Sequence, residues 1–245
     1  MKNLPYLILP VCHILLVSCD DKKEQAEETK PVVTEATRDL MAVDIPMLPL
    51  KKGDFWKYKV SIEIPAGITS EGASAVEIDQ EKTRTYLGKV KVAKDYPEVD
   101  AFDVTMRGEA TERELVEIHE DRILMRGSTR PDQLDAKPLW MDPPIPFVVA
   151  GIRAGQEMAS LGLKDGSRSR GIKVVAREKL TTAIGEFPAI RLLMTGNDGK
   201  FELRKTIWFV PGLGIAKEEK TRYAEGKLIF RETTLLEETS VIPRQ

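Results

Sequence analysis

The strict alternation of apolar and polar side chains in residues 55–64, FWKYKVSIEI, most constrains the fold of this 245-residue chain. Because successive side chains of a β-strand point to opposite faces, a period of two predicts a strand with one buried face and one solvated face. The apolar positions are Trp56, Tyr58, Val60, Ile62 and Ile64. After residue 50, no stretch repeats its apolar residues convincingly every three to four positions, so the sequence predicts an all-β domain.

Nine further segments have the composition of short strands and are separated by Gly, Pro and Asp residues. These segments are 82–92, 101–107, 111–118, 121–126, 172–180, 188–195, 200–210, 214–223 and 227–237. Ten strands with hairpin-length gaps predict a meandering antiparallel sheet. Asn197-Asp198-Gly199 marks one hairpin. Pro211-Gly212 suits a type II turn, in which Pro presets its own φ and Gly accepts a positive φ.

A proline-rich segment, residues 128–165, interrupts this series of strands. Prolines at positions 131, 138, 143, 144 and 146 make regular hydrogen-bonded structure unfavourable across its first half. Because Trp140, Met141 and Phe147 lie among these prolines, the segment is too apolar for a solvated linker. We expect a long connection that covers the apolar face of the sheet; a boundary between two subdomains is the alternative. The predicted fold is a curved antiparallel sheet, or partly open β-barrel, with a Pro-rich covering segment.

Composition and charge limit the classes of partner. Hydrophobic residues make up 42% of the chain and charged residues 31%, which is typical of a soluble globular protein. The formal net charge of −2 provides no electrostatic basis for binding nucleic acid, which would require a basic stripe or patch. Beyond the N-terminus, no stretch approaches the roughly 20 continuous apolar residues of a membrane-spanning helix.

The N-terminal sequence MKNLPYLILPVCHILLVSC has the pattern of a secretory signal peptide over residues 1–18, with a basic residue followed by an apolar region. Its last four residues, Leu16-Val17-Ser18-Cys19, resemble the bacterial lipobox. The resemblance implies cleavage between Ser18 and Cys19 and a lipid anchor on Cys19, including a diacylglyceryl group on the thiol and acylation, for example by palmitate, of the new amino terminus. A plain signal peptide is the alternative. Loss of Cys12 with the signal would leave the mature domain without a free thiol.

Residues 20–40 are highly charged and lack aromatic side chains, so they predict a flexible tether. We therefore divide the chain into a signal peptide (1–18), a lipidated cysteine with its tether (19–48) and one β-rich domain (49–245). The predicted location is the bacterial cell envelope, with the domain outside the cytoplasm and held to a membrane by the lipid. Asp20 and Asp21 resemble the signal that retains enterobacterial lipoproteins in the inner membrane, and the choice between inner and outer membrane stays open.

Residues 185–238 resemble an uncharacterised family of exported bacterial β-rich proteins. The matching positions are Gly185, Phe187, Ala189, Trp208, Phe209, Pro211, Gly212, Gly214 and Lys217. The resemblance covers about a quarter of the chain well, and at the level of fold it implies a curved, partly open barrel similar to the lipoprotein carriers of bacterial envelopes. Such a likeness does not by itself assign a function.

The residues expected of a catalytic or metal site are scarce. After removal of the signal peptide, His119 is the only histidine, which argues strongly against a metal site rich in His or Cys. It lies among acidic residues at the end of a predicted strand, where a surface role is favoured. The sequence therefore predicts no enzyme, no catalytic residue, no metal and no cofactor.

Aromatic residues make up only 6% of the chain, so the few that it has stand out, and filling of the core is the favoured interpretation. We expect Trp56, Tyr58, Trp140 and Phe147 either to fill the core or to line a concavity for an acyl chain or other apolar ligand. The favoured function is a lipid-anchored, non-enzymatic module that binds a hydrophobic ligand or a lipoprotein. The alternatives are an interaction or structural component of an envelope complex without a small ligand, and an enzyme that uses carboxylates alone.

Overall fold

The structure is a computed structural model that describes residues 47–68, 70, 72–131, 137–162, 169–197 and 201–242. The predicted signal peptide, Cys19 and most of the tether lie outside these residues. None of the described segments forms a helix that is long and apolar enough to cross a membrane.

Twelve β-strands make up the regular structure of the described residues. They are β1 (Phe55–Ile64), β2 (Val76–Lys91), β3 (Glu98–Met106), β4 (Glu109–Ile118), β5 (Arg122–Thr129), β6 (Leu139–Val149), β7 (Glu157–Gly162), β8 (Ser169–Thr182), β9 (Gly185–Asn197), β10 (Phe201–Val210), β11 (Gly214–Ala224) and β12 (Lys227–Thr239). Each of the ten predicted strands overlaps one of them, and β1 has the predicted bounds. The all-β prediction is confirmed.

All twelve strands belong to one antiparallel sheet with the order β6-β5-β4-β3-β2-β1-β12-β11-β10-β9-β8-β7. Consecutive strands form hairpins within β1–β6 and within β7–β12, whereas β6 and β7 do not pair with each other. The first and last strands pair with each other at the centre, with Val60 opposite Thr234 and Glu63 opposite Arg231. Two meanders of six strands therefore extend in opposite directions from the β1–β12 pair.

The two edges of the sheet, β6 and β7, come close to each other without forming a hydrogen-bonded ladder. The sheet is therefore a nearly closed barrel with one unsealed seam. Pro143, Pro144 and Pro146 lie on β6, and proline has no backbone N–H to donate to a further strand. This composition explains why β6 is an edge.

At residues 128–165 the structure differs from the irregular connection expected from the sequence. These residues supply the end of β5 and the whole of β6 and β7. Prolines are compatible with a strand here because β6 pairs only with β5, so its outer side needs no donors. The segment nevertheless contributes to the covering of the apolar interior through Ile145, Phe147 and Val148, which are all buried.

The main core lies inside the barrel towards one end, which we call the apolar end. This end carries the β4–β5 and β10–β11 turns. Its largest buried side chains include Trp56, Phe102, Phe209, Leu213 and Leu236. The opposite end, which we call the charged end, carries the β3–β4 and β11–β12 turns.

Residues 47–50 cross the apolar end and help to close it. The backbone N–H of Met47 donates to the carbonyl of Glu120 at 3.3 Å, and the N–H of Gly212 donates to the carbonyl of Met47 at 3.0 Å. Met47 and Leu48 are only 2% and 7% exposed and belong to the main core. The folded part thus includes two residues that the sequence division assigned to the tether.

Candidate functional site

Three of the four aromatic residues predicted to line a ligand site lie inside the barrel and are part of the main core. The indole N–H of Trp56 donates to the carbonyl of Leu213 at 2.7 Å, and the hydroxyl of Tyr58 donates to the carbonyl of Ile215 at 3.0 Å. Phe147 packs edge-on against Phe209, with 6.3 Å between ring centroids.

Trp140 lies on the outer face of the sheet, apart from the other three. It is opposite Gly127 on β5, and Gly127 is opposite Leu115 on β4, so Trp140 and Leu115 share one face. Leu115 belongs to a small outer cluster with Val99 and Ala101, against which Trp140 packs. The structure therefore does not bring the four aromatic residues together, and a ligand-binding role for them stays a prediction.

The interior of the barrel carries charged side chains between the core and the charged end. We call this set the interior charge cluster. Its members are Lys82, Arg84, Glu112, Glu114, Lys205, Glu218, Lys220, Arg222 and Glu232. Strand alternation positions them: Lys82 and Arg84 are opposite Tyr58 and Trp56, and Glu218 follows the buried Ala216 by two residues.

Glu218, at the centre of the cluster, is 6% exposed. One carboxylate oxygen accepts a hydrogen bond from the Lys82 ammonium at 3.2 Å, and the other lies 2.5 Å from the Lys205 ammonium. Burial opposes ionisation of Glu218, but the positive charges of Lys205 and Lys82 outweigh it and hold its pKa well below the ordinary value. Glu218 is therefore a stable carboxylate.

The Lys82–Glu218 contact also shows how strongly the sheet curves. Lys82 lies on β2 and Glu218 on β11, with β1 and β12 between them. In a flat sheet, three inter-strand steps would separate these strands by about 14 Å. Their charged atoms are 3.2 Å apart. The two side chains therefore meet across the interior of the barrel.

A second ion pair joins β2 and β4. The Arg84 Nε donates to Glu114 at 2.7 Å, and the guanidinium stacks on the ring of Phe102 at 3.6 Å from its centroid. Burial opposes ionisation of Glu114, but Arg84, Lys82 and Lys205 together hold its pKa below the ordinary value. Because Lys205 lies on β10, its effect on Glu114 indicates that the two halves of the barrel face each other here.

Glu112 has the opposite electrostatic environment. Burial, together with the neighbouring negative charge of Glu114, raises its pKa, although Ser128, Lys205 and Lys82 oppose this. A carboxyl group with a raised pKa beside one with a lowered pKa is a feature of many binding and catalytic sites.

Lys220 and Arg222 extend the cluster towards the charged end. Lys220 lies directly opposite Lys205 on β10 and opposite Glu232 on β12. Burial lowers the pKa of Lys220; Glu232 raises it, and Lys205, Arg222 and Lys82 lower it further. Within the described ranges, no carboxylate oxygen comes within 4.0 Å of the charged nitrogens of Lys220 or Arg222, although both cations lie over aromatic rings.

This arrangement can bind charged groups. His119 lies outside the cluster in the exposed β4–β5 connection, and its Nε2 atom is 3.5 Å from the Oε2 atom of Glu117. The part of the chain that the structure describes has no group of three or more His, Cys, Asp and Glu side chains that could hold a metal ion.

The interior charge cluster could not be recognised from the sequence. On β11 both faces carry charged side chains, since Lys217 and Glu219 alternate with Glu218 and Lys220. A charged period-two pattern is therefore consistent with solvent on either side. The sequence held one weak indication of an interior position. Glu218 lies two residues after Ala216 and therefore on the same strand face, and alanine is often buried.

Two solved structures are similar to this chain. A protein provisionally described as exported, with a YmcC-like fold, from Bacteroides fragilis has 12% sequence identity and a TM-score of 0.44, over 80% of this chain and 99% of that chain. A protein provisionally described as a lipoprotein, from Parabacteroides distasonis, has 13% identity and a TM-score of 0.46, over the same shares of the two chains. No protein-family model and no curated protein matches the chain.

Proposed function

We propose that this chain is a lipid-anchored protein of the bacterial cell envelope and that its barrel is a non-enzymatic binding module. The lipobox-like sequence Leu16-Val17-Ser18-Cys19 supports the anchor. An acylated Cys19 would carry more than one chain, and two or more acyl chains hold a protein firmly to a membrane. The membrane is thus the first proposed partner.

The observation that carries the binding role is the interior charge cluster. Replacing a buried ion pair by apolar side chains of similar volume is often neutral or stabilising, so stability does not require these charges. Buried charged groups with pKa values shifted in opposite directions are typical of functional sites. We therefore assign ligand binding to the charged end of the barrel, not to a concavity lined by Trp56 and Trp140.

The apolar end of the barrel is covered. Residues 47–50 cover the apolar end, where Met47 bonds to the backbone of Glu120 and Gly212. A ligand that contacts the interior cluster would therefore approach from the charged end. We therefore propose that the ligand is a small molecule with an ionic group. The hydrophobic ligand predicted from the sequence would then carry a charged group as well as an apolar part.

Metabolic labelling with a radioactive fatty acid tests the anchor. We expect the wild type and Cys12→Ser to be labelled equally, because Cys12 leaves with the signal peptide. Cys19→Ser should lose the label and no longer partition into detergent. Equal labelling of Cys19→Ser would contradict the proposed anchor.

Mass spectrometry of an organic extract tests the binding role. The full-length protein would be purified from membranes and compared with an unrelated lipoprotein purified in the same detergent. A molecule enriched in near-stoichiometric amount supports a binding module. Without such enrichment, an envelope protein captured by cross-linking in cells would favour the second function below.

The second candidate function is an interaction component of an envelope complex without a small ligand. The outer apolar cluster favours it, because Leu139 on the edge strand β6 is 47% exposed beside Trp140. Exposed apolar residues at a sheet edge are common in protein interfaces. Cross-linking from position 139 would identify a protein neighbour if this function is correct.

A further inference from the structure

We propose that Lys220 and Arg222 bind the acidic headgroup of an amphipathic anion at the charged end of the barrel. The inference rests on the proposed binding function and specifies its ligand class. The shared chemistry is a carboxylate or phosphate group attached to an apolar chain.

Two like charges face each other inside the barrel. Lys205 and Lys220 are direct cross-strand partners on β10 and β11. Like charges in this relationship are destabilising. The Lys205 ammonium is compensated, since it lies 2.5 Å from a carboxylate oxygen of Glu218. Lys220 is the member of the pair that has no carboxylate within 4.0 Å among the described side chains.

Neither cation has an acidic partner among the residues that the structure describes. Glu232 is opposite Lys220 in the ladder, yet among the described side chains neither Glu232 nor any other acid comes within 4.0 Å of the Lys220 ammonium. The same holds for Arg222. A bound anion would stabilise both cations and would also reverse the lowering of the Lys220 pKa.

Lys220 and Arg222 are two residues apart and lie on the same face of β11. An ammonium can then contact one oxygen of an anion while a guanidinium contacts two. Arginine is suited to this role because its planar donors match carboxylate and phosphate groups in a bidentate manner. Two such cations favour an oxyanion with at least two free oxygens.

Apolar side chains lie beside the two cations. The Nζ atom of Lys220 lies 5.7 Å from the ring centroid of Phe230, and the Cζ atom of Arg222 lies 5.9 Å from the ring centroid of Phe201. Leu203 is opposite Arg222 in the ladder. These three apolar side chains would contact an alkyl chain attached to the anion, which an inorganic anion could not use.

Isothermal titration of the full-length lipidated protein in nanodiscs of zwitterionic lipid tests the inference. The probes are hexyl phosphate, hexanoate, hexan-1-ol and inorganic phosphate, and empty nanodiscs correct for partition into the bilayer. We expect saturable binding of at least one of the two hexyl anions, and weaker binding of hexanol and of inorganic phosphate. Preference for hexyl phosphate points to a phospholipid-like source, and preference for hexanoate points to a fatty acid.

Variants identify the residues. Lys220→Gln and Arg222→Gln should each weaken binding of the preferred hexyl anion at least about tenfold, because each removes a charge-assisted hydrogen bond. Lys227→Gln removes the same charge from an exposed position near the same end and should leave binding unchanged. Without ligand, Lys220→Gln should unfold at a temperature equal to or above that of the wild type, because it relieves repulsion with Lys205.

The inference is overturned if both variants bind the hexyl anions as tightly as Lys227→Gln, or if hexanol binds as tightly as the anions. A folded Lys220→Gln protein with unchanged affinity would locate any binding elsewhere. If the organic extract described above still contained an enriched ligand in that case, the proposed binding function would stand and only this site would fail.

Discussion

Glu218 illustrates how single residues are stabilised inside this barrel. Its carboxylate is held between the ammonium groups of Lys82 and Lys205, and it is almost fully buried. Ion pairs of this kind add little net stability relative to an apolar core, but removal of one partner leaves buried charges uncompensated. Removal of one member of the pair should therefore destabilise the protein much more than replacement of both members by apolar side chains.

We expect Glu218→Gln to lower the free energy of unfolding by about 3 kcal/mol, because the mostly buried Lys82 and the partly buried Lys205 then lose the carboxylate that both contact. Glu219→Gln is the matched control on the outer face. Glu219 is 41% exposed and pairs with Lys217, and exposed pairs contribute at most about 1 kcal/mol. Urea denaturation at pH 7 measures the free energy of unfolding of both variants and of the wild type. A loss for Glu218→Gln no larger than that of the control would contradict the central role of Glu218.

The same residue predicts the sign of a pH effect. The folded state holds the pKa of Glu218 below the unfolded value, so its stabilising contribution is complete above the ordinary carboxyl pKa. This contribution decreases as the pH falls below that value towards the folded pKa. In denaturation series over this acidic range, the difference between Glu218→Gln and wild type should therefore shrink as the pH falls.

Gly212 is the other residue whose role is local. Its φ is +77°, and the N–H of Leu213 donates to the carbonyl of Val210 at 3.0 Å across Pro211-Gly212. The predicted type II turn is confirmed. We expect Gly212→Ala to cost on the order of 1 kcal/mol, because alanine is strained at positive φ. Gly171→Ala, at a strand position without positive φ, is the control. Equal stability of the two variants would contradict the turn argument.

At the scale of single elements, β6 shows how an edge strand can form in a proline-rich sequence. Its donors are needed only on the side that faces β5. Glycine on β5 allows the close approach: a Cβ on Gly127 would lie 1.8 Å from the carbonyl oxygen of Leu139. The two strands can therefore pair near Trp140 only while position 127 has no side chain.

We expect Gly127→Ala to destabilise the protein by at least about 2 kcal/mol, since the backbone must move and the φ of +137° is also unfavourable for alanine. The loss should concentrate in β6, where amide hydrogen exchange should become faster. Gly88→Ala is the control: its φ is +81°, but its Cβ would have no neighbour closer than 3.9 Å. Unchanged exchange in β6 of Gly127→Ala would rule out this explanation.

At the scale of the whole molecule, the barrel depends on contacts that its two meanders make around the central β1–β12 pair. The N-terminal residues Met47 and Leu48 pack into the main core and join turns from both halves. The end of the predicted tether is therefore part of the fold. The interior is thus covered at the apolar end, and the interior charge cluster lies towards the charged end.

Two truncated chains test this contribution. A chain that begins at residue 45 should fold with a far-UV circular dichroism spectrum dominated by β-structure. A chain that begins at residue 52 loses Met47 and Leu48, and burial of each such side chain contributes about 1.5–3 kcal/mol. We therefore expect it to be less stable by about 3–6 kcal/mol. A helix-dominated spectrum, or equal stability of the two chains, would contradict the structure.

Features that depend on neighbouring residues could be predicted from the sequence. The alternation of residues 55–64 predicted β1 with its observed bounds, because the period of side chains along a strand is a local property. Pro211-Gly212 predicted a turn because proline and glycine restrict their own backbone angles. The lipobox-like sequence at Cys19 is equally local, and the anchor it indicates stays a prediction.

Features that depend on distant residues were decided only by the tertiary structure. Residues 139–149 form a strand because β5 offers a partner and the opposite side is an edge, which no local pattern encodes. Trp140 and Trp56 were predicted to lie together, either in the core or in one ligand site, yet strand register puts them on opposite faces of the sheet. The charges of β11 face the interior because the sheet closes on itself, which brings Lys82 to Glu218 across 136 residues of sequence. Alternation separates two faces, but only closure of the barrel determines which face is inside.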